Sequence, residues 1–187
     1  MSQLVLALDS AGSPNRWIKP KDAALYYVKD LVAWSIGETE FVIRGGTNRV
    51  TGAESRIVTA SIISIKGRDF MVRNYDRPPP LTKDKLILRD RNMCAYCGGI
   101  FKDRQLEMEH IHPESRGGEL SWMNIVAACR ICNNRKSNRT PEEADMQLLY
   151  APYVPNHHEN FIMSNRQILE DQMEFLKLKV PAHSRLL

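Results

Sequence analysis

No stretch of this 187-residue sequence approaches the roughly 20 consecutive apolar residues that a bilayer-spanning helix needs. A membrane span is therefore not expected. The early apolar run, Leu4 to Leu8, is cut off by Asp9 and has no charged leader, which is too little for a secretory signal. This places the protein in a reducing cytoplasm. Cysteine is scarce, with four residues in all. In that compartment they are expected as metal ligands or plain thiols, not disulfides. Repeats and low-complexity segments are missing, which excludes solenoids and biased tails. Charge of one sign is in small excess: a net +4 permits a polyanionic partner without demanding one. What is present, 43% hydrophobic and 26% charged residues, describes a soluble globular chain and excludes bulk disorder. The length suits one ordinary domain, or a small catalytic module with an appended part.

Along the chain, Leu4–Leu8 reads as a short buried strand and Gly12-Ser-Pro14-Asn15 as a turn. Lys21 to Trp34 has apolar residues at three- and four-residue steps behind Pro20, the pattern of an amphipathic helix. Phe41–Ile43 and the β-branched run Ile57–Ile65 read as strands. This opening part, to about Tyr75, is expected to form a small α+β subdomain. Arg77-Pro-Pro-Pro80 marks a boundary, and Leu81 to Asn92 reads as a helix. Thr140-Pro141-Glu-Glu143 is a capping box and predicts a helix through about Leu149. Tyr150 to Asn160 reads as a loop, with His157 and His158 on the surface. A last helix is expected over Met163 to Lys179. The domains expected are thus 1–80, 81–150 and 151–187.

Two cysteine pairs, Cys94-Ala-Tyr-Cys97 and Cys129-Arg-Ile-Cys132, share one spacing. Two residues between thiolates let both sulfurs turn onto one tetrahedral ion, and two such pairs fill its coordination. A Zn2+ ion held this way has no open position for water, so it is expected to be structural. The 31 residues between the pairs, Gly98 to Ala128, exceed the roughly 15–20 of a simple zinc ribbon. They must form a unit of their own. Within it Leu106–Ile111 reads as a strand, able to pair with Ile100-Phe101 as a hairpin. Ser121–Asn124 leads towards a helix carrying Arg130, Cys132, Asn133, Lys136 and Ser137. The order expected is strand, strand, helix.

Read together, CAYCGG and EHIHPESRGGELSWMNIVAACRICNNRKSNRTPEEA resemble the HNH endonucleases. The resemblance covers about residues 88–150, and more weakly the N-terminal strand and helix. It implies an α+β chain built on a ββα-metal module with a four-cysteine zinc site, preceded by the small α+β subdomain and followed by the C-terminal helix. By position it implies His110 as general base, Asn124 as the residue that orients it through backbone contacts, and Glu109 and Asn133 as ligands of a catalytic divalent ion. That makes an HNN variant with Glu where the family has Asp. Hard oxygen ligands suit Mg2+ or Mn2+. The extra methylene of Glu109 is expected to favour Mn2+ or slow the reaction. The products implied carry 5′-phosphate and 3′-hydroxyl ends.

Arg116, Arg130, Arg135, Lys136 and Arg139 concentrate near this motif and are candidates for phosphate contacts. His112 could help to position substrate, and Trp122 is expected as a packing anchor. The function expected is metal-dependent hydrolysis of DNA, probed against two others: a zinc-stabilised, non-catalytic nucleic-acid-binding module, and an RNase on the same scaffold. The N-terminal part is open to two roles, extra DNA contacts or a homodimer surface. A phage or prophage nuclease, a restriction factor and a mobile-element endonuclease all fit the sequence.

Overall fold

The computed structural model describes residues 3–67 and 77–187; Tyr75, taken above as the end of the opening part, lies outside them. The chain is α+β and divides into two compact units, Met1–Arg77 with Ser164–Lys179, and Pro78–Met163 with Val180–Leu187.

The first unit holds a four-stranded sheet in the order β2-β1-β4-β3, made of β1 (Val5–Leu8), β2 (Pro14–Ile18), β3 (Val32–Thr47) and β4 (Glu54–Ile65). The residues around Pro14 thus open a strand where a turn is expected: Asp9 closes the reversal by accepting from the amide of Ser13. Helix α1 (Pro20–Val28) starts with proline in its first turn. It stops six residues short of the expected Trp34. Asp30 takes a left-handed φ of 52°, and the amides of Asp30 and Leu31 donate back to the carbonyls of Tyr27 and Tyr26. This is a Schellman closure. The β-branched and aromatic residues beyond it enter β3 instead. Val5, Ala7, Ile18, Ala23 and Ile63 form the core between sheet and α1.

The expected helix over 163–179 is two helices, α4 (His157–Ser164) and α5 (Glu170–Lys177). Asn165 interrupts them by accepting from the amide of Gln167 through its side chain. The start of α4 is also earlier than expected, because Asn156 and Glu159 form a reciprocal cap. His158 is consequently buried, not on the surface. Helix α5 belongs to the first unit. Its Gln172 amide donates to the carbonyls of Leu4 and Ser61, and its Asp171 accepts from Ser61 Oγ and the amide of Thr39.

The second unit is organised by α2 (Lys83–Arg89), β5 (Leu106–His110), β6 (Ile125–Cys129) and α3 (Arg130–Lys136). Arg89 is fully buried. Its guanidinium donates to the carbonyls of Trp122, Tyr153 and Ile125 and to the carboxylate of Asp90. Asp90 in turn accepts from the amide of Ala127. One ion pair thereby satisfies backbone groups from residues 122–127 and from Tyr153. Trp122 packs with Leu86 and Ile125, and its ring nitrogen donates to Pro79. The hairpin expected between 100–101 and β5 does not form. Ile100 makes a single bridge with Met93, and β5 pairs antiparallel with β6. The five apolar residues of β6 read equally well as the start of a helix, and burial of all five decides for a strand. The capping box at Thr140–Glu143 forms, but it closes one turn and no α-helix follows it.

Candidate active site and metal centre

The register of β5 against β6 sets two sites apart. Leu106 lies opposite Cys129 and His110 opposite Ile125. Four residues of strand, about 13 Å, separate the cysteine end of this ribbon from the histidine end.

At the cysteine end, the sulfurs of Cys94, Cys97, Cys129 and Cys132 all lie within 4.8 Å of one another. That cluster can hold one metal ion. The local sequence makes it. Gly98 takes a φ of 72° and its amide donates to the carbonyl of Cys94, while the Cys94 amide donates to the carbonyl of Gly99, so the first pair sits on a tight knuckle. The second pair comes from the end of β6 and the first turn of α3. Ala95 is tied to both flanks, donating to Ala127 and accepting from Leu149. This closes the module at about residue 149.

At the other end, His110 is the last residue of β5, and its Nε2 is buried without a hydrogen-bond partner. The chain beyond it is pinned by Asn124. The Asn124 carboxamide accepts from the amide of His112 at 2.8 Å and donates to the carbonyls of His112 and Glu119 at 3.0 and 2.9 Å. The Asn124 backbone carbonyl accepts from the amide of Ile111. Gly118 lies so close beneath His112 that a Cβ there would sit 1.8 Å from the His112 oxygen. Only glycine permits that approach. The ring of His112 is exposed and bonds the carbonyl of Arg116 at 3.0 Å, which makes it part of the same loop.

Two side chains of α3 join it to β5. Lys136 Nζ donates to Glu109 Oε1 and to the His110 carbonyl, both at 2.7 Å. Asn133 Nδ2 donates to Glu107 Oε2 at 2.6 Å. Burial pushes the Glu109 carboxyl above the usual carboxylate range, against the pull of the Lys136 ammonium. Glu109 and Asn133 each keep one oxygen outside these contacts, Oε2 and Oδ1. Such a donor set, with the unpartnered imidazole nitrogen nearby in sequence, has the chemistry a hard divalent ion and its water require.

The basic residues separate into kinds. Arg130 and Arg135 are exposed. Arg116 is exposed but holds Glu143 through both carboxylate oxygens at 2.7 Å. Arg139 donates to the carbonyls of Lys136 and Arg135 at the end of α3, which caps the helix. Lys136 is a correction: it is fully buried, so it faces Glu109 and not solvent where a phosphate would lie. Glu107 and Gly118 are the residues that sequence reasoning passed over. The signal for Glu107 is its position two residues before Glu109, on the same strand face.

Two antiparallel strands, a following helix, a histidine closing the first strand and a four-cysteine cluster define a ββα-metal module. The HNH endonuclease family model matches residues 94–149, from the first cysteine to the residue that bonds Ala95. Over these residues the chain is similar to the HNH endonucleases. The sequence is also 36% identical over 70 residues to the CRISPR-associated endonuclease Cas9 of Campylobacter jejuni, which covers 34% of this chain and 7% of that protein. The chain thus matches a small part of that relative's length.

Proposed function

We propose that this protein is a metal-dependent endonuclease that hydrolyses DNA phosphodiester bonds, with His110 as general base. The observation that carries the reading is the buried, unpartnered Nε2 of His110 at the end of β5. A buried nitrogen left without a partner calls for an explanation, and a water or substrate hydroxyl awaiting proton transfer supplies one. Asn124 acts by clamping the loop at residue 112, which holds the strand end that carries the imidazole. Lys136 fixes the same strand end from the other side through the His110 carbonyl. Glu109 and Asn133 would hold Mg2+ or Mn2+ through their remaining oxygens. When bound, that ion supplies charge neutralisation for the phosphate and the leaving oxygen. The four cysteines would hold Zn2+ as a structural ion, closed to water, in a reducing cytoplasm where thiols persist. Arg130 and Arg135, both exposed, would meet phosphates. Arg116 would join them at small cost, since an exposed pair such as Arg116–Glu143 is weak.

One observation favours a second reading. Glu109 is already neutralised by Lys136, as suits a zinc-stabilised module that binds nucleic acid without cutting it. Supercoiled plasmid and matched duplex RNA, each incubated with Mg2+, Mn2+ or chelator, separate the readings. Nicked or linear DNA appearing with metal supports the nuclease. Retarded but intact DNA in every lane supports the binding module, and cleavage of RNA alone would move the substrate class.

A further inference from the structure

We propose that Glu107 is a positioning residue for Asn133, fixing which end of its carboxamide faces the phosphodiester site. The inference rests on the reading of Asn133 as a ligand of the catalytic ion. Along β5 the side chains alternate. Leu106 and Met108 enter apolar clusters, and Glu107 and Glu109 turn to α3. On that helix Asn133 and Lys136, three residues apart, share a face. Strand and helix therefore meet in two rungs, Glu107 with Asn133 at 2.6 Å and Glu109 with Lys136 at 2.7 Å.

The two rungs do different things. The Lys136 rung pairs opposite charges. The Glu107 rung joins a carboxylate, which only accepts, to a carboxamide with one donating and one accepting end. The two ends are nearly equal in size, so packing alone distinguishes them poorly. A hard cation takes only the oxygen. A carboxylate in contact attracts Nδ2 and repels Oδ1, which leaves the oxygen to point away from Glu107. Without Glu107 both orientations are open to the side chain, and half-turned carboxamides present a donor to the cation.

The test uses the zinc-loaded full chain and reads Mn2+ binding from the loss of the free-ion paramagnetic resonance signal. Glu107→Leu removes the acceptor and should weaken Mn2+ binding by about 10–100-fold, the range found when a ligand's supporting partner is lost. Glu107→Gln has a donating as well as an accepting end and can meet either end of Asn133, so it should bind Mn2+ between wild type and Glu107→Leu. The Asn133 side-chain amide protons, followed by NMR, should exchange slowly in wild type and fast in Glu107→Leu. Mn2+ binding unchanged in Glu107→Leu would overturn the proposal. So would a loss in Glu107→Leu with the Asn133 amide protons exchanging as slowly as in wild type, because that result makes Glu107 itself a ligand. A wild-type protein that binds Mn2+ yet cuts no nucleic acid would sink the nuclease reading and leave the positioning role standing. Absence of Mn2+ binding in wild type would end both.

Discussion

Lys136 is the residue whose removal the structure makes most predictable. Its side chain is fully buried, and the Glu109 side chain is 10% exposed. Replacement by methionine keeps the approximate shape and deletes the ammonium. Glu109 and the His110 carbonyl then lose their shared donor in a place water scarcely reaches. Deleting one partner of a buried ion pair costs about 3–5 kcal/mol, whereas replacing both partners by apolar groups is often neutral or better. Lys136→Met alone should therefore destabilise the second unit by about 3 kcal/mol or more. Adding Glu109→Leu should recover most of that loss. The defect also depends on pH with a defined sign. Burial raises the Glu109 carboxyl and Lys136 lowers it, so without Lys136 the folded protein holds the Glu109 proton to higher pH than the unfolded chain does. The Lys136→Met loss must then grow as pH rises above the ordinary carboxylate range. Of the three tryptophans, Trp122 alone lies in the second unit. Phenylalanine at Trp17 and Trp34 leaves it as the reporter for urea unfolding of the zinc-loaded chain. A single-variant loss below about 1 kcal/mol, the level of an exposed pair, would refute the argument. A double variant no more stable than the single one would do so equally.

Three further outcomes follow from particular contacts. Gly118→Ala should cost more stability than Gly117→Ala, because the first meets the His112 backbone at 1.8 Å and the second meets open space at a φ of 87°; equal melting temperatures would show that the loop is not wedged there. Stripping the four-cysteine site with a strong chelator should abolish the near-ultraviolet signal of Trp122, since a structural zinc contributes about 10–16 kcal/mol of binding free energy to folding, and an unchanged spectrum would remove the cysteines from the account of the fold. In the first unit, burial would raise Asp171, but hydrogen bonds from Ser61 and the amides of Thr39, Gln172 and Glu38 outweigh it and hold the carboxyl below its usual range. Its stabilisation is complete above the unfolded value of about 3.9 and is lost as pH falls through the folded one. Asp171→Asn should flatten that acid limb of the melting curve, and a parallel curve would count against the contact.

How much of this was legible in the sequence depends on how local each feature is. The cysteine knuckles, the strand ending in His110 and the loop held by Asn124 are set by short spacings and by glycines, and the motif carries them. The end of α1 carries no plain local signal, because Asp30 is an uncommon residue for a left-handed closure where glycine is usual. The fully apolar Ile125–Cys129 run has no period to distinguish strand from helix, so the sequence does not reveal it as the partner of β5. The Asn156–Glu159 cap is a local signal, but it follows directly on Pro152 and Pro155, which read as loop. Glu107–Asn133 and Glu109–Lys136 lie beyond any local pattern. They exist because a strand face with period two meets a helix face with period three to four, and that pairing is settled only when β5, β6 and α3 pack.

The central claim is that His110 takes the proton from the attacking water. Its most direct test is the cleavage rate of supercoiled plasmid at saturating Mn2+ for wild type and His110→Ala, with zinc content and folding checked as equal. The account predicts a loss of about 10²–10⁴-fold, the usual contribution of a general base. Cleavage by His110→Ala at the wild-type rate would contradict it.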